Sequence, residues 1–172
     1  MKIRSATSAD REAIRAVARE TWHDTYDDLE ADTIDAVVDE WYGDDELETA
    51  IGGWHGDDLD VSLEGIDTVL LVAEVGGEVV GFTHALADGE EGDVLRMYVH
   101  PDHQDAGVGT ALHQHLRERL VELGVTRMRA FDLASNEASR TFYEGLDFEE
   151  TDRGTVQIGD GTYDEAVYTL EF

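Results

Sequence analysis

The chain has no cysteine and a single proline, Pro101, in 172 residues. Disulfides, thiolate nucleophiles and cysteine-bound zinc are therefore excluded. Lysine is nearly absent as well: Lys2 is the only one, and Lys and Arg together number 12 against 41 Asp and Glu. A formal charge of −29 argues against nucleic acid as a partner, because neutralising phosphates takes clustered cations. The same repulsion disfavours an anionic membrane surface. No apolar run approaches the roughly 20 residues of a membrane span, and Met1-Lys2-Ile3-Arg4-Ser5 lacks a signal-peptide core. Together these absences predict a cytoplasmic protein.

What is present is a core. Hydrophobic residues make up 41% of the chain and fall in periodic blocks, so the acidity does not imply disorder. The acids lie between the blocks, in runs such as Asp44-Asp45-Glu46, and read as a solvated face. A surface of this kind, poor in lysine, resembles that of proteins from salt-accumulating halophiles, where counterions screen self-repulsion.

One compact domain spanning 1–172 is expected, because there are no repeats and no linker. Ile3 to Ala6 predicts a strand, and Thr7 with Asp10 a capping box that opens a helix to about Tyr26. Ile34, Val37, Val38 and Trp41, then Leu47, Ala50, Ile51 and Trp54, predict two more short amphipathic helices. These close an N-terminal section, 1–67. Over 68–124 the period changes. Thr68 to Val75 and Glu78 to Ala87 predict a hairpin turned at Gly76-Gly77, and Asp93 to Val99 a further strand. Val108 to Leu123 predicts a long helix closed by Gly124. In 125–172 a strand from Thr126 to Leu133, a helix from Ser135 to Glu144 and two closing strands follow. The order β-ααα-βββ-α-β-α-ββ predicts an α/β fold with a mixed sheet and helices on both faces.

The informative segment joins the strand ending in Val99 to the long helix, as His100-Pro101-Asp102-His103-Gln104-Asp105-Ala106-Gly107-Val108-Gly109-Thr110. Backbone N–H groups at a helix start are unpaired, and the helix dipole favours an anion above them. Glycines let a diphosphate come close. A phosphate-binding Gly-Lys-Ser/Thr does not follow, and the three-glycine dinucleotide pattern is absent. Taken by itself, such a segment reads equally well as a tightly packed helix start.

Gln104-x-x-Gly107-x-Gly109 after Met97-Tyr98-Val99 resembles the acyl-CoA loop of the GCN5-related N-acetyltransferase (GNAT) family. Ser135 to Phe148 is similar to that family's second motif, an Asn at a strand-to-helix junction and a Tyr seven residues on, here Asn136 and Tyr143. Ile3-Arg4-x-Ala6-Thr7-x-x-Asp10 is similar to its N-terminus, so the resemblance covers most of the chain. It implies a GNAT-like, mostly antiparallel central sheet and transfer of an acetyl group from acetyl-CoA to an amine, without an acyl-enzyme and without a metal. It further implies that the main chain of Met97, Tyr98 and Val99 runs beside the pantetheine arm. The amides of Gln104, Asp105, Ala106, Gly107, Val108, Gly109 and Thr110 would hold the pyrophosphate. Asn136 would bind the cofactor arm, and Tyr143 would protonate the leaving thiolate. A backbone N–H near Tyr98 would stabilise the oxyanion.

The chemistry also needs a base for the amine. Asp93 is the first candidate and Glu91 the second, although either reads equally as surface acid. Tyr143 alone would read as a core aromatic, and Asn136 as a helix cap, a ligand contact or both. Trp22 and Tyr26 are the candidate acceptor-binding residues, with Trp41 beside them, although their helical spacing also suits a core. The chain departs from the family pattern where Asp105-Ala106 replaces basic residues and where Asp147 replaces a glycine. Phe131 stands where family members that acetylate ribosomal-protein N-termini carry Glu, and Asp132 next to it faces the other side of the strand. His100-x-x-His103 and His113-x-His115 lack metal-site geometry, so no metal is expected. A non-catalytic acyl-CoA sensor is the rival class. Acceptors from small-molecule amines to protein amino groups all fit, as does a homodimer.

Overall fold

The computed structural model describes residues 1–26, 29–47 and 66–172. Strand β2 (Ile66–Val75) shows why the fold has layers. Its apolar run is continuous because both faces are buried. Val69, Leu71 and Ala73 face one core, and Leu70 and Val72 face the other. Around it lie β1 (Lys2–Ser5), β3 (Glu78–Asp88), β4 (Glu91–Val99), β5 (Arg127–Leu133), β6 (Glu149–Ile158) and β7 (Gly161–Glu171). They form one seven-stranded sheet in the order β1-β2-β3-β4-β5-β7-β6, with β7 inserted between β5 and β6. Among the described residues only β4 and β5 run parallel. This is the mixed, mostly antiparallel sheet expected from the sequence.

Helices α1 (Arg11–Thr25) and α2 (Ala31–Trp41) cover one face. Ile14, Val17, Val37 and Val38 of these helices pack on Leu70, Val72 and Phe82. The other face is covered by α3 (Val108–Glu122) and α4 (Glu137–Gly145), through Leu112, Leu116, Leu120 and Tyr143. The capping box is present, with the Thr7 N–H donating to Asp10 at 2.8 Å, but it opens a short 3₁₀ turn, and α1 proper starts at Arg11. The β2–β3 turn has positive φ at both Gly76 (61°) and Gly77 (85°), the backbone of a tight primed hairpin. Most of the third expected helix, from residue 48 onward, lies outside the described residues. Among the described residues no helix is long and apolar enough to cross a membrane.

Two irregularities shape the centre of the sheet. The β3–β4 register shifts between His84 and Ala85, so that Leu95 is the extra residue of a bulge. The β4–β5 pairing covers only Glu91–Val94 against Arg127–Ala130. Beyond it the strands separate, and among the described residues the edge of β4 from Leu95 onward has no strand partner on that side.

His113, on the buried side of α3, touches Phe148 with ring centres 5.6 Å apart, and burial lowers its pKa to about 4. Folding thus keeps this imidazole neutral, while the unfolded chain takes up a proton near the ordinary value of 6.5. The stabilisation is fully present above that value and is lost as pH falls toward 4. His113→Leu should therefore lose less stability than the parent between pH 7.5 and pH 5, by about 1–2 kcal/mol. Denaturant titrations of both proteins at the two pH values and fixed salt check this; parallel losses would refute it. The comparison matters because acid also relieves the repulsion of −29 charges, which acts on both proteins alike.

Candidate active site

Where β4 and β5 part, a cleft of about 880 Å³ opens. One wall is Met97, Tyr98 and Val99 of β4 with the loop that follows. The other is Asp132 of β5 with Ser135–Ser139, Phe142 and Tyr143 around α4. Every residue expected to hold the cofactor lines this cleft except Ala106.

The loop is built to leave amides unpaired. The Gln104 N–H bonds the Pro101 carbonyl, and the Ala111 N–H bonds the Gly107 carbonyl. The amides from Asp105 to Thr110 between them have no protein acceptor among the described residues. Asp105 (φ 64°) and Gly107 (φ 83°) both adopt the left-handed conformation that turns the chain into α3. Gly109 serves a different purpose: a Cβ there would meet the Phe142 ring at 3.0 Å, so its absence lets α4 pack against the start of α3. Val99 is less open than expected, since its carbonyl already accepts from Gln104 Nε2 at 3.1 Å and Thr21 Oγ1 at 3.3 Å.

Asn136 caps α4, its Oδ1 accepting from the Ser139 N–H at 3.1 Å, and its side-chain amide lies 3.4 Å from the Tyr26 hydroxyl. Tyr143 stacks on Tyr168, with ring centres 5.4 Å apart, and no hydrogen bond to its hydroxyl is found among the described residues. Burial, with negative charge at Asp132, raises the Tyr143 phenol far above its usual range. It is a neutral, protonated group facing the cleft.

A second pocket of about 340 Å³ shares Tyr26, Tyr98 and Asp132 with the first and extends to Trp22, Trp41, Asp93 and Arg96. Trp22 and Tyr26 are both buried. The Trp22 indole N–H donates to the Tyr98 hydroxyl at 3.1 Å, so Trp22 forms a wall, while the Tyr26 hydroxyl reaches between the two spaces. Asp93 lines this pocket, but both its oxygens are taken by the Arg129 guanidinium at 2.9 and 3.0 Å. Glu91 is held by Arg127 and Arg129.

The carboxylate at the junction is Asp132. It accepts from the Tyr26 hydroxyl at 2.9 Å, from its neighbour's Leu133 N–H at 2.8 Å, and from Ser139 Oγ. Burial raises its pKa, against the opposing pull of those hydrogen bonds. Strand alternation placed Asp132 opposite Phe131. That it faces the cleft follows from the separation of β4 and β5, which sequence reasoning did not supply. Among the described residues no three of His, Asp and Glu come together as a metal would require.

A split parallel strand pair, with unpaired amides at the helix start beyond it, defines an acyltransferase-like architecture. The sequence profile of the acetyltransferase (GNAT) domain matches residues 67–150. An acetyltransferase of Pectobacterium atrosepticum is 31% identical over 123 residues, 70% of this chain and 84% of that one. An uncharacterized N-acetyltransferase of Yersinia pestis is 32% identical over 108 residues, 62% of this chain and 75% of its own length. Among solved structures, the PaiA N-acetyltransferase of Thermoplasma acidophilum, in complex with coenzyme A, superposes with a TM-score of 0.82 at 21% identity over 99% of this chain and 98% of that one. The ribosomal-protein-alanine N-acetyltransferase of Brucella melitensis gives a TM-score of 0.66 at 21% identity, with both chains fully covered. The chain belongs to the GNAT family and is an acetyltransferase.

Proposed function

We propose that the protein transfers the acetyl group of acetyl-CoA to a primary amine by direct attack in a ternary complex. The observation that carries this reading is the row of unpaired amides from Asp105 to Thr110 at the mouth of the cleft. Such a row suits a diphosphate even without nearby cations, because backbone dipoles supply the positive potential. The coenzyme A bound in the Thermoplasma neighbour supports the same donor. The thioester supplies an activated acetyl carbon and a thiolate leaving group.

The chain's own residues handle the protons. The acceptor nitrogen sits near Tyr26, whose hydroxyl takes a proton from the ammonium and passes its own to Asp132. Asp132 takes this role in preference to Asp93, whose oxygens are spent on Arg129. The nitrogen adds to the acetyl carbon and, once the C–N bond has formed, loses its second proton to solvent; the C–S bond then breaks and Tyr143 gives its proton to the sulfur. The Tyr143 phenolate is reprotonated from solvent and Asp132 returns its proton there, so that the ammonium and acetyl-CoA become the acetamide, free CoA and one released proton.

Calorimetry with CoA, followed by free-thiol release from acetyl-CoA with a panel of primary amines, tests the reading. Binding with a Kd at or below about 0.1 mM, in the range of ordinary substrate affinities, and amine-dependent thiol release are expected. Absence of CoA binding would overturn it.

A further inference from the structure

Acids outnumber Lys and Arg 41 to 12, so an arginine in this protein is surrounded by possible partners. Arg15, Arg19, Arg127 and Arg129 all pair with carboxylates. Arg96 does not: no carboxylate among the described residues pairs with it, and its buried Nε has no hydrogen-bond partner there. Its guanidinium lies over two rings instead, 5.4 Å from the centre of Trp41 and 5.2 Å from that of Tyr42. The buried Tyr42 hydroxyl lies beside Arg96 and Tyr98 and, like that Nε, makes no well-formed hydrogen bond.

Leaving the Nε–H of a guanidinium buried without a well-placed acceptor is costly, and the two rings offset only part of that. Contact with the two rings holds the guanidinium in place, and its fork can receive a planar anion in two-point fashion. Arg96 lines the same pocket as Asp132 and Glu165. One pocket thus offers carboxylates for an ammonium and an unpaired arginine for an anion, with aromatic and aliphatic walls between them.

We propose that the acceptor is an amine that also carries a carboxylate, an amino acid in the broad sense, and that Arg96 is the residue that selects it. This rests on the acetyltransferase reading above. The ammonium lies toward Tyr26 and Asp132, and the carboxylate lies against the guanidinium of Arg96. A neutral amine of the same shape leaves the arginine unsatisfied, and is discriminated against for that reason.

The test compares matched probes: L-phenylalanine with phenethylamine, L-leucine with isoamylamine, and 4-aminobutyrate with butylamine. The first two pairs place the carboxylate next to the amine, and the third places it further away. In the parent, kcat/KM for at least one acid should exceed that of its neutral partner by about a hundredfold, mostly through KM. Arg96→Met should bring that ratio to near one, and Arg96→Lys, which keeps the charge but loses the fork, should fall between. Calorimetry on the CoA complex adds a readout without turnover: N-acetyl-L-phenylalanine or N-acetyl-L-leucine should bind more tightly than the acetamide of the matching amine. CoA binding with no preference for the acid in either assay, or a preference that survives in Arg96→Met with an unchanged melting temperature, overturns the proposal and leaves the acetyltransferase reading standing. Failure to bind CoA at all defeats that reading first.

Discussion

Tyr143→Phe should lower kcat by about a hundredfold or more while leaving the affinity for CoA close to that of the parent. The ring is held by contacts that phenylalanine keeps: stacking on Tyr168 and edge contacts with Phe142 and Phe148. The hydroxyl has no hydrogen-bond partner among the described residues, so its removal leaves no buried group stranded and should change the melting temperature little. The only thing lost is a proton aimed at the cleft. Because burial and the Asp132 charge keep the phenol protonated across the neutral range, the group is always in the form that can donate. Single-turnover measurements of thiol release, with equilibrium CoA titrations alongside, separate the two effects. If the rate is unchanged, the phenol has no part in the reaction and Tyr143 is a packing residue.

The parts of this site that are local in sequence were legible before any fold was known. The loop with Gln104, Gly107 and Gly109, the Asn136 cap and the Tyr143 spacing each lie within one turn or one helix, short enough to carry a family resemblance as motifs, although periodicity alone makes Tyr143 a core aromatic. Even there the fold adds something no local pattern holds: the missing Cβ of Gly109 makes room for Phe142, a residue 33 positions away. The rest of the site depends on partners brought together by the sheet. Asp93 reads as a free carboxylate until the parallel pairing of β4 and β5 sets Arg129 beside it. Asp132 reads as facing away until those strands diverge. Arg96 is noteworthy because no carboxylate among the described residues pairs with it, and that depends on where each surrounding acid is placed. Pair relations across strands, not residue types, carried the information the chain alone did not disclose.

Asp132→Asn should reduce kcat/KM by about two to three orders of magnitude near neutral pH. The size of the loss should depend on pH in a way that packing damage would not. A protonated amine needs a base, but an amine that is already neutral does not, so the deficit should shrink as pH approaches the amine's own pKa. Tyr26→Phe cuts the same relay one step earlier and should show the same pH dependence. Stability should move in the opposite direction to activity. Since burial raises the pKa of Asp132 in the fold above the ordinary carboxylate value, the group favours folding at low pH, and that advantage is lost as pH rises through the folded pKa. Asparagine carries no such pH-dependent penalty and still accepts from Tyr26. The variant should therefore be at least as stable as the parent at pH 7, with the difference narrowing as pH falls through the ordinary carboxylate range. An inactive protein that resists denaturant better than its parent would mark Asp132 as a charge buried at the expense of stability for the sake of chemistry. Equal activity, or a loss of activity that follows a loss of stability, would return the base to some other group.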